Sequence, residues 1–483
     1  MHRYFFIHLL FIIGTASIGW SQTSKVTNTN DSYGVDFNNK IIVCHTALMD
    51  SISQNRNAIN GFNLGETSFS FIDTPTQFQS TDRYLVVNAR DTFQLYFTHL
   101  PIIKIAPSDS IVNEPKRMAR MSYVDSTSNF NAAIGIEWRG NSALKYPKKS
   151  YDLEIRLDSL SEVSRDLQFG TLRNDDDWLL NSLYNEPLKL RTYFSTKLWL
   201  DMHAPSYLSE EPKAKSSNDL VFAEVFLNES YEGVYLLSEP IDRKQLRLQK
   251  MKNDTVHGTL YKANGALDAS TFKNAPTFNN AFPDWAGFQM KYPYENFNAH
   301  WEELYPLIAL AAGEDDEDFV KKIEQHLDVD NAIDYFIFVN LLRATDNLGK
   351  NYYLAKNTQD APYFFVPWDL DGVLGCIQDA KPIATTNDIL SNGLFDRLLA
   401  TNPANFRGRL KTRWEQLRSD ICSDEVLFGR LNEIYNFLER QQIYDRDSLV
   451  WPRANDAETD FAYTKDWLEK RLKFMDLLLS SFE

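Results

Sequence analysis

Cysteine is almost absent: the 483 residues include only 3, at Cys44, Cys376 and Cys422. Three cannot build a disulfide framework, and none sits in a Cys-x-x-Cys pair, so neither a disulfide-stapled domain nor a thiolate zinc site is expected. They read as buried small hydrophobes. Long apolar runs are also scarce: beyond the N-terminal segment no stretch is apolar enough to span a bilayer. Basic charge is in deficit, with 50 Lys+Arg against 66 Asp+Glu and a net charge of −16. That balance withholds the basic footprint that general binding to nucleic acid or anionic lipid requires, while leaving room for a local basic pocket. No internal repeat is visible, and nothing indicates an oligomeric state.

Aromatic residues, by contrast, are plentiful, with 32 Phe, 23 Tyr and 10 Trp, and 43% of the chain is hydrophobic. This composition builds a sizeable core and excludes a disordered chain. Residues 1–21 have the plan of a secretory signal: His2 and Arg3, an apolar run from Tyr4 to Ile13, then Gly19 and Ser21 before Gln22. The chain is therefore expected to be exported, to the periplasm, the cell surface or the medium. An exported protein substrate is the expected partner, and a basic one suits the acidic surface.

Residues 22–118 read as a β-rich N-terminal segment. Short apolar runs such as Ile41-Ile42-Val43 and Tyr84-Leu85-Val86-Val87 are parted there by polar turn residues. A larger domain is expected over 119–483. Ile134, Ile136 and Trp138 alternate with polar residues, as do Tyr151, Leu153, Ile155 and Leu157, which predicts half-buried strands. A helix is expected from Glu186 to Met202, then a hairpin pairing 222–226 with 234–238. The second half turns helical near 300–312, 317–327, 330–345, 391–420, 424–447 and 457–481, with Asp330 as a candidate cap for the third of these. The fold class is α+β, with strands in front and helices behind.

The chemistry concentrates between Asp330 and Gly375. A helix end leads to Asp346-Asn-Leu-Gly-Lys-Asn351. The runs 351–356 and 363–367 then read as a hairpin opening onto Asp369-Leu-Asp371. Phosphoryl transfer needs such a set: a carboxylate to take the proton of the attacking hydroxyl, and an Asn oxygen with another carboxylate to hold a divalent metal. Asp346 and Asn351 have the Asp-x4-Asn spacing of kinase catalytic loops, and Asp369 follows a hairpin as the metal-binding Asp does there. Spacing alone equally fits a turn whose Asx side chains satisfy loop amides.

A set of further motifs resembles the CotH family of spore-coat kinases. They are Arg139-Gly-Asn-Ser142 with Tyr146-Pro-Lys-Lys-Ser-Tyr151, Asp177-Trp-Leu-Leu, Leu190-Arg-Thr-Tyr193, Gly233-Val-Tyr-Leu-Leu-Ser-Glu239, Leu260-Tyr-Lys262, Asn351-Tyr-Tyr-Leu354 and Pro367-Trp-Asp-Leu-Asp371. Together they cover about residues 100–480. The resemblance implies an atypical protein-kinase-like, two-lobed domain with a mostly helical C-terminal lobe, using ATP with Mg²⁺ or Mn²⁺ to phosphorylate Ser or Thr. It implies Asp346 as the catalytic Asp and Asp369 as the principal metal ligand, with Asn351 and Asp371 assisting. Tyr363 would stack on the nucleobase, and Glu239 would stand at a hinge whose backbone faces adenine. Lys149, in phase with Tyr151 and Leu153, is the expected phosphate lysine, with Arg139 as the alternative. Two other readings stay open: a nucleotide-binding pseudokinase or structural surface protein, and a metal-dependent glycosyltransferase using Asp369-Leu-Asp371 as its D-x-D.

Overall fold

The computed structural model describes residues 26–28, 31–53, 61–89, 91–294, 297–452 and 456–482; the expected signal, residues 1–21, lies outside them. Among the described residues no helix is long and apolar enough to cross a membrane.

The apolar runs after Tyr33 form a seven-stranded sheet. Its spatial order is Val26–Asn28, Gly61–Leu64, Thr67–Phe71, Arg83–Asn88, Asp91–Thr98, Ile41–His45 and Tyr33–Asp36. Ile42, Phe62, Phe69, Val86, Phe93 and Leu95 form its own small core. A closed barrel follows, built from Asn129–Arg139, Ser150–Arg156, Asp177–Asn181, Ser230–Ser238, Leu220–Leu227, Ile102–Pro107 and Arg117–Val124. Closure removes the unpaired strand edges that invite aggregation. The alternating residues fill its interior: Ile134, Ile136, Leu153, Ile155, Trp178 and Leu237 are fully buried. Because the strands Ile102–Pro107 and Arg117–Val124 close this barrel, the boundary expected at 118 falls inside it, and the first sheet ends at Thr98.

The remainder is largely helical around an antiparallel five-stranded sheet. The sheet runs Asp284–Trp285, Phe288–Tyr292, Thr259–Ala263, Tyr352–Lys356 and Phe364–Pro367. At the centre lies the helix Val329–Leu342, buried on almost every side, as its largely apolar composition requires, with Asn331, Asp334 and Asn340 buried among the apolar residues. Its cap is Asp328, whose carboxylate accepts from the Asn331 amide at 3.0 Å, while Asp330 sits in the first turn. Helices expected as single pieces divide. Gly393–Thr401 and Phe406–Arg418 part at Asn402-Pro403, where Asn402 turns left-handed (φ 53°) and Pro403 has no N–H to continue the ladder. Asp424–Arg440 and Ile443–Val450 part at Gln442, also left-handed (φ 53°).

One buried ionic network ties these parts together. Arg446, on Ile443–Val450, pairs with Glu224 of the barrel, and both are fully buried. Glu224 also accepts from the Tyr231 hydroxyl at 2.6 Å and from the hydroxyl of Thr98, the last residue of the first sheet, at 3.0 Å. A carboxylate out of water is tolerable only when its lone pairs are filled in this way.

Candidate active site

The helix Val329–Leu342 ends at Arg343 in a left-handed conformation (φ 54°) and gives way to a short 3-10 turn, Thr345–Leu348. Asn347 fixes this turn from within. Its side-chain amide donates to the Asn351 carbonyl at 2.6 Å and the Trp368 carbonyl at 3.0 Å, while its own carbonyl accepts from the Tyr335 hydroxyl at 2.7 Å. Asn331 ties the hairpin to the helix similarly, pairing its amide with the Phe365 N–H and C=O at 2.6 and 3.1 Å. Asn351 and Asp369, at the open ends of the hairpin strands, both carry positive φ (58° each). Asn and Asp are the non-glycine residues that accept this conformation most readily.

These residues line one cleft of about 510 Å³ between the barrel and the five-stranded sheet. Asp346, Asn351, Asp369 and Asp371 form one wall, Arg139 and the Gly140 turn another. The Asp346 carboxylate is held by Lys350 at 2.8 Å. Arg139 donates to Asn181, and its guanidinium lies 5.7 Å from the centre of the Trp368 ring. Asp371 accepts from Asn185. Burial, followed by the charges of Asp369, Glu186 and Asp346, pushes the Asp371 carboxyl well above the usual carboxylate range. Each of these acids offers hard oxygen atoms, the ligand type of Mg²⁺ or Mn²⁺, although no three of their carboxylates bring ligand oxygens within 4.8 Å of one another. The repulsion has a measurable consequence. Asp371→Asn should raise the melting temperature of the metal-free protein by about 2–4 °C. The same variant should lose stabilisation by Mn²⁺. A lower melting point without metal would mean that no repulsion is relieved.

Three expected site residues fall elsewhere. Tyr363 is 3% exposed, its hydroxyl paired with that of Thr259 at 3.1 Å. It precedes the strand Phe364–Pro367, whose far end reaches the cleft, so its ring lies away from the residues that line the cleft. Glu239 is fully buried, and its carboxylate accepts from the amides of Arg173 and Asp219 at 2.7 and 3.0 Å. Its backbone N–H donates to the Asp219 carbonyl and its carbonyl accepts from Ser238, so both backbone groups already have protein partners. Lys149 gives its ammonium to the Leu144 carbonyl at 2.7 Å, above Trp138. The strand begins only at Ser150, after a 3-10 turn, so its alternation does not extend back to Lys149. Lys148 is the fully buried neighbour, bonded to the Val234 carbonyl and to Asp447 at 2.9 and 3.1 Å.

Other residues stand in the cleft that the sequence reading gave no role. Lys262, on Thr259–Ala263, lines it and is pushed down to about 8, first by desolvation and then by the charge of Lys291. Its place amid Leu260, Tyr261 and Ala263 was the available signal. Glu186, expected as the first residue of a helix, lies ahead of the observed one. The helix starts at Arg191, and the buried Glu186 carboxylate caps it by accepting from the Thr192 amide at 3.1 Å. A separate trio, Asp166, Asp175 and Asp176, has carboxylate oxygens within 4.8 Å of one another and could in principle chelate a metal. Lys244 meets Asp175 and Asp176 at 2.8 and 2.5 Å, and Arg173 meets Asp175 at 2.7 Å, so cations already balance much of that charge.

Comparison with known proteins accords with this arrangement. The family profile described as CotH kinase protein matches residues 136–475, a span that contains the barrel strands from Arg139 onward and every acid of the cleft. Over 305 residues the chain is 23% identical to the inner spore coat protein H of Bacillus subtilis (strain 168), covering 62% of this chain and 75% of that protein. The matched region exceeds half of the chain, and the chain belongs to the CotH kinase protein family.

Proposed function

We propose that the protein is an exported, metal-dependent kinase of atypical two-lobed, kinase-like fold that transfers phosphate from ATP to Ser or Thr of another exported protein. The observation that carries this reading is the meeting of Asp346, Asn351, Asp369 and Asp371 in one cleft with Arg139 and Lys262. Asp369, Asn351 and Asp371 would hold the metal, which would neutralise phosphate charge when bound. Lys262 and Arg139 supply cations for the phosphates, Lys262 in the part that sequence phase gave to Lys149. Asp346 orients the acceptor hydroxyl and takes its proton. The acceptor oxygen forms a bond to the γ-phosphorus as the bond from that phosphorus to the bridging oxygen breaks, and ADP leaves with that oxygen.

Lys262 makes the reading sensitive to pH. As pH rises through about 8 its ammonium is lost and the triphosphate loses a counter-charge. ATP affinity should therefore weaken above that pH, whereas Lys262→Met should bind about tenfold more weakly with a flatter profile. Calorimetric titration from pH 6.5 to 9.5 checks this, and an unchanged slope in the variant would remove Lys262 from the phosphate site.

A coat or surface protein without catalysis is the second reading. The name of the Bacillus relative, an inner spore coat protein, favours it, as does the closed backbone of Glu239. A glycosyltransferase is disfavoured, because its nucleotide-sugar site calls for a parallel sheet and the sheet beside this cleft is antiparallel. Thermal stabilisation by ATP or by a UDP-sugar, each with Mg²⁺ or Mn²⁺, separates the three. The kinase reading requires the first and is overturned by the second.

A further inference from the structure

A second cavity, of about 550 Å³, adjoins the cleft and shares Tyr146, Asn185, Glu186 and Asp379 with it. Arg191 lines it and is only 2% exposed. Among the described residues, two nitrogens of its guanidinium, Nε and Nη1, have no geometric hydrogen-bond partner, an exception among buried groups that calls for an explanation. Cys376 is an immediate neighbour whose sulfur can accept only weakly from the guanidinium, and burial pushes its thiol up, so it offers no counter-charge.

Position makes the guanidinium harder to account for by folding alone. Arg191 is the first residue of a 12-residue helix, at the end where the backbone dipoles already present positive charge. Glu186 is the nearby carboxylate, yet its oxygens are engaged by the Thr192 amide and hydroxyl. The other deep charges of the cavity meet one another: Asp447 is shared by Lys148 and Lys189, at 3.1 and 2.8 Å. Gly233 permits that pairing, since a Cβ there would stand 2.2 Å from an Asp447 oxygen. Of the remaining acids, exposed Asp379 takes the Tyr146 hydroxyl, and Asp460 is half-buried. Tyr146, Tyr184, Trp451 and Pro187 wall the space, which is too large for an ion alone and suits a side chain carrying one.

We propose that this cavity is a recognition subsite for an oxyanion, a carboxylate or phosphomonoester borne by a side chain of the acceptor protein near the residue that enters the cleft. Arg191 donates Nε–H and Nη1–H to the anion. A basic acceptor can carry one such group. The inference rests on the transfer reading only for the source of the anion; binding itself is tested without transfer.

Isothermal titration of the full chain with inorganic phosphate, an Asp-containing peptide and a phosphoserine peptide provides the test. Arg191→Gln and Asp369→Asn are the variants. Peptide binding should weaken at least about 30-fold in Arg191→Gln, from loss of two charge-assisted hydrogen bonds, and should persist in Asp369→Asn. Peptides binding more tightly than inorganic phosphate would identify a side-chain source, whereas equal or weaker peptide binding would overturn it in favour of free phosphate. Unchanged binding in Arg191→Gln, or its loss in Asp369→Asn, would place the anion in the cleft and overturn the proposal. Should Arg191→Gln not fold, a tungstate soak of crystals of the unmutated protein decides: anomalous density at Arg191 is required, and its absence refutes the site. Failure of ATP to stabilise the protein would sink the kinase reading and leave this result standing.

Discussion

Asp346→Asn is expected to slow phosphate transfer by about 10²–10⁴-fold, the usual range for loss of a positioned general base. An amide keeps the shape of the carboxylate but cannot take the acceptor proton. The neighbouring frame should persist, because Asn347 rather than Asp346 carries the hydrogen bonds that hold the turn to Asn351 and Trp368. Stabilisation by ATP and metal should therefore survive while transfer falls. Single-turnover transfer and thermal unfolding, measured on the same preparation, separate the two effects. Loss of both together would mean that Asp346 serves binding instead.

The largest effect on stability should come from Arg446→Met. The methionine fits a buried setting, but it leaves Glu224 fully buried with only the hydroxyls of Tyr231 and Thr98 against its charge. Breaking a buried pair from one side costs about 3–5 kcal/mol, against about 0–1 kcal/mol for an exposed pair. The double variant Arg446→Met, Glu224→Gln should recover much of the loss, because no unpaired charge remains. Chemical denaturation of the four proteins measures the coupling. A single substitution costing under about 1 kcal/mol would show that the pair contributes little to joining the first sheet, the barrel and the helical part.

What the sequence could disclose depended on how local the cause was. Strands with clean alternation, such as Tyr151, Leu153 and Ile155, were readable because one face of each meets a core. Asp346, Asn351, Asp369 and Asp371 were readable as a set because a single helix–turn–hairpin unit carries them to the same edge. Lys149 was misplaced because its alternation was carried past the start of its strand at Ser150. Tyr363 was misplaced because residues of a short strand reach opposite ends of the sheet, a matter of direction that composition does not record. Glu239 depended on partners far along the chain, Arg173 and Asp219, as Glu224 depends on Arg446. Such pairings follow from packing, as does the arrival of Lys262 in the same cleft as the acids.

Transfer of labelled phosphate from ATP, with Mg²⁺ or Mn²⁺, to the protein itself or to a generic basic protein tests the central claim most directly. The unmutated chain should transfer label, and Asp369→Ala should lose both transfer and stabilisation by ATP with metal. Stabilisation by ATP without transfer under either metal would contradict the kinase and leave a nucleotide-binding relative of one. Equal transfer by the unmutated chain and Asp369→Ala would contradict the assignment of the cleft.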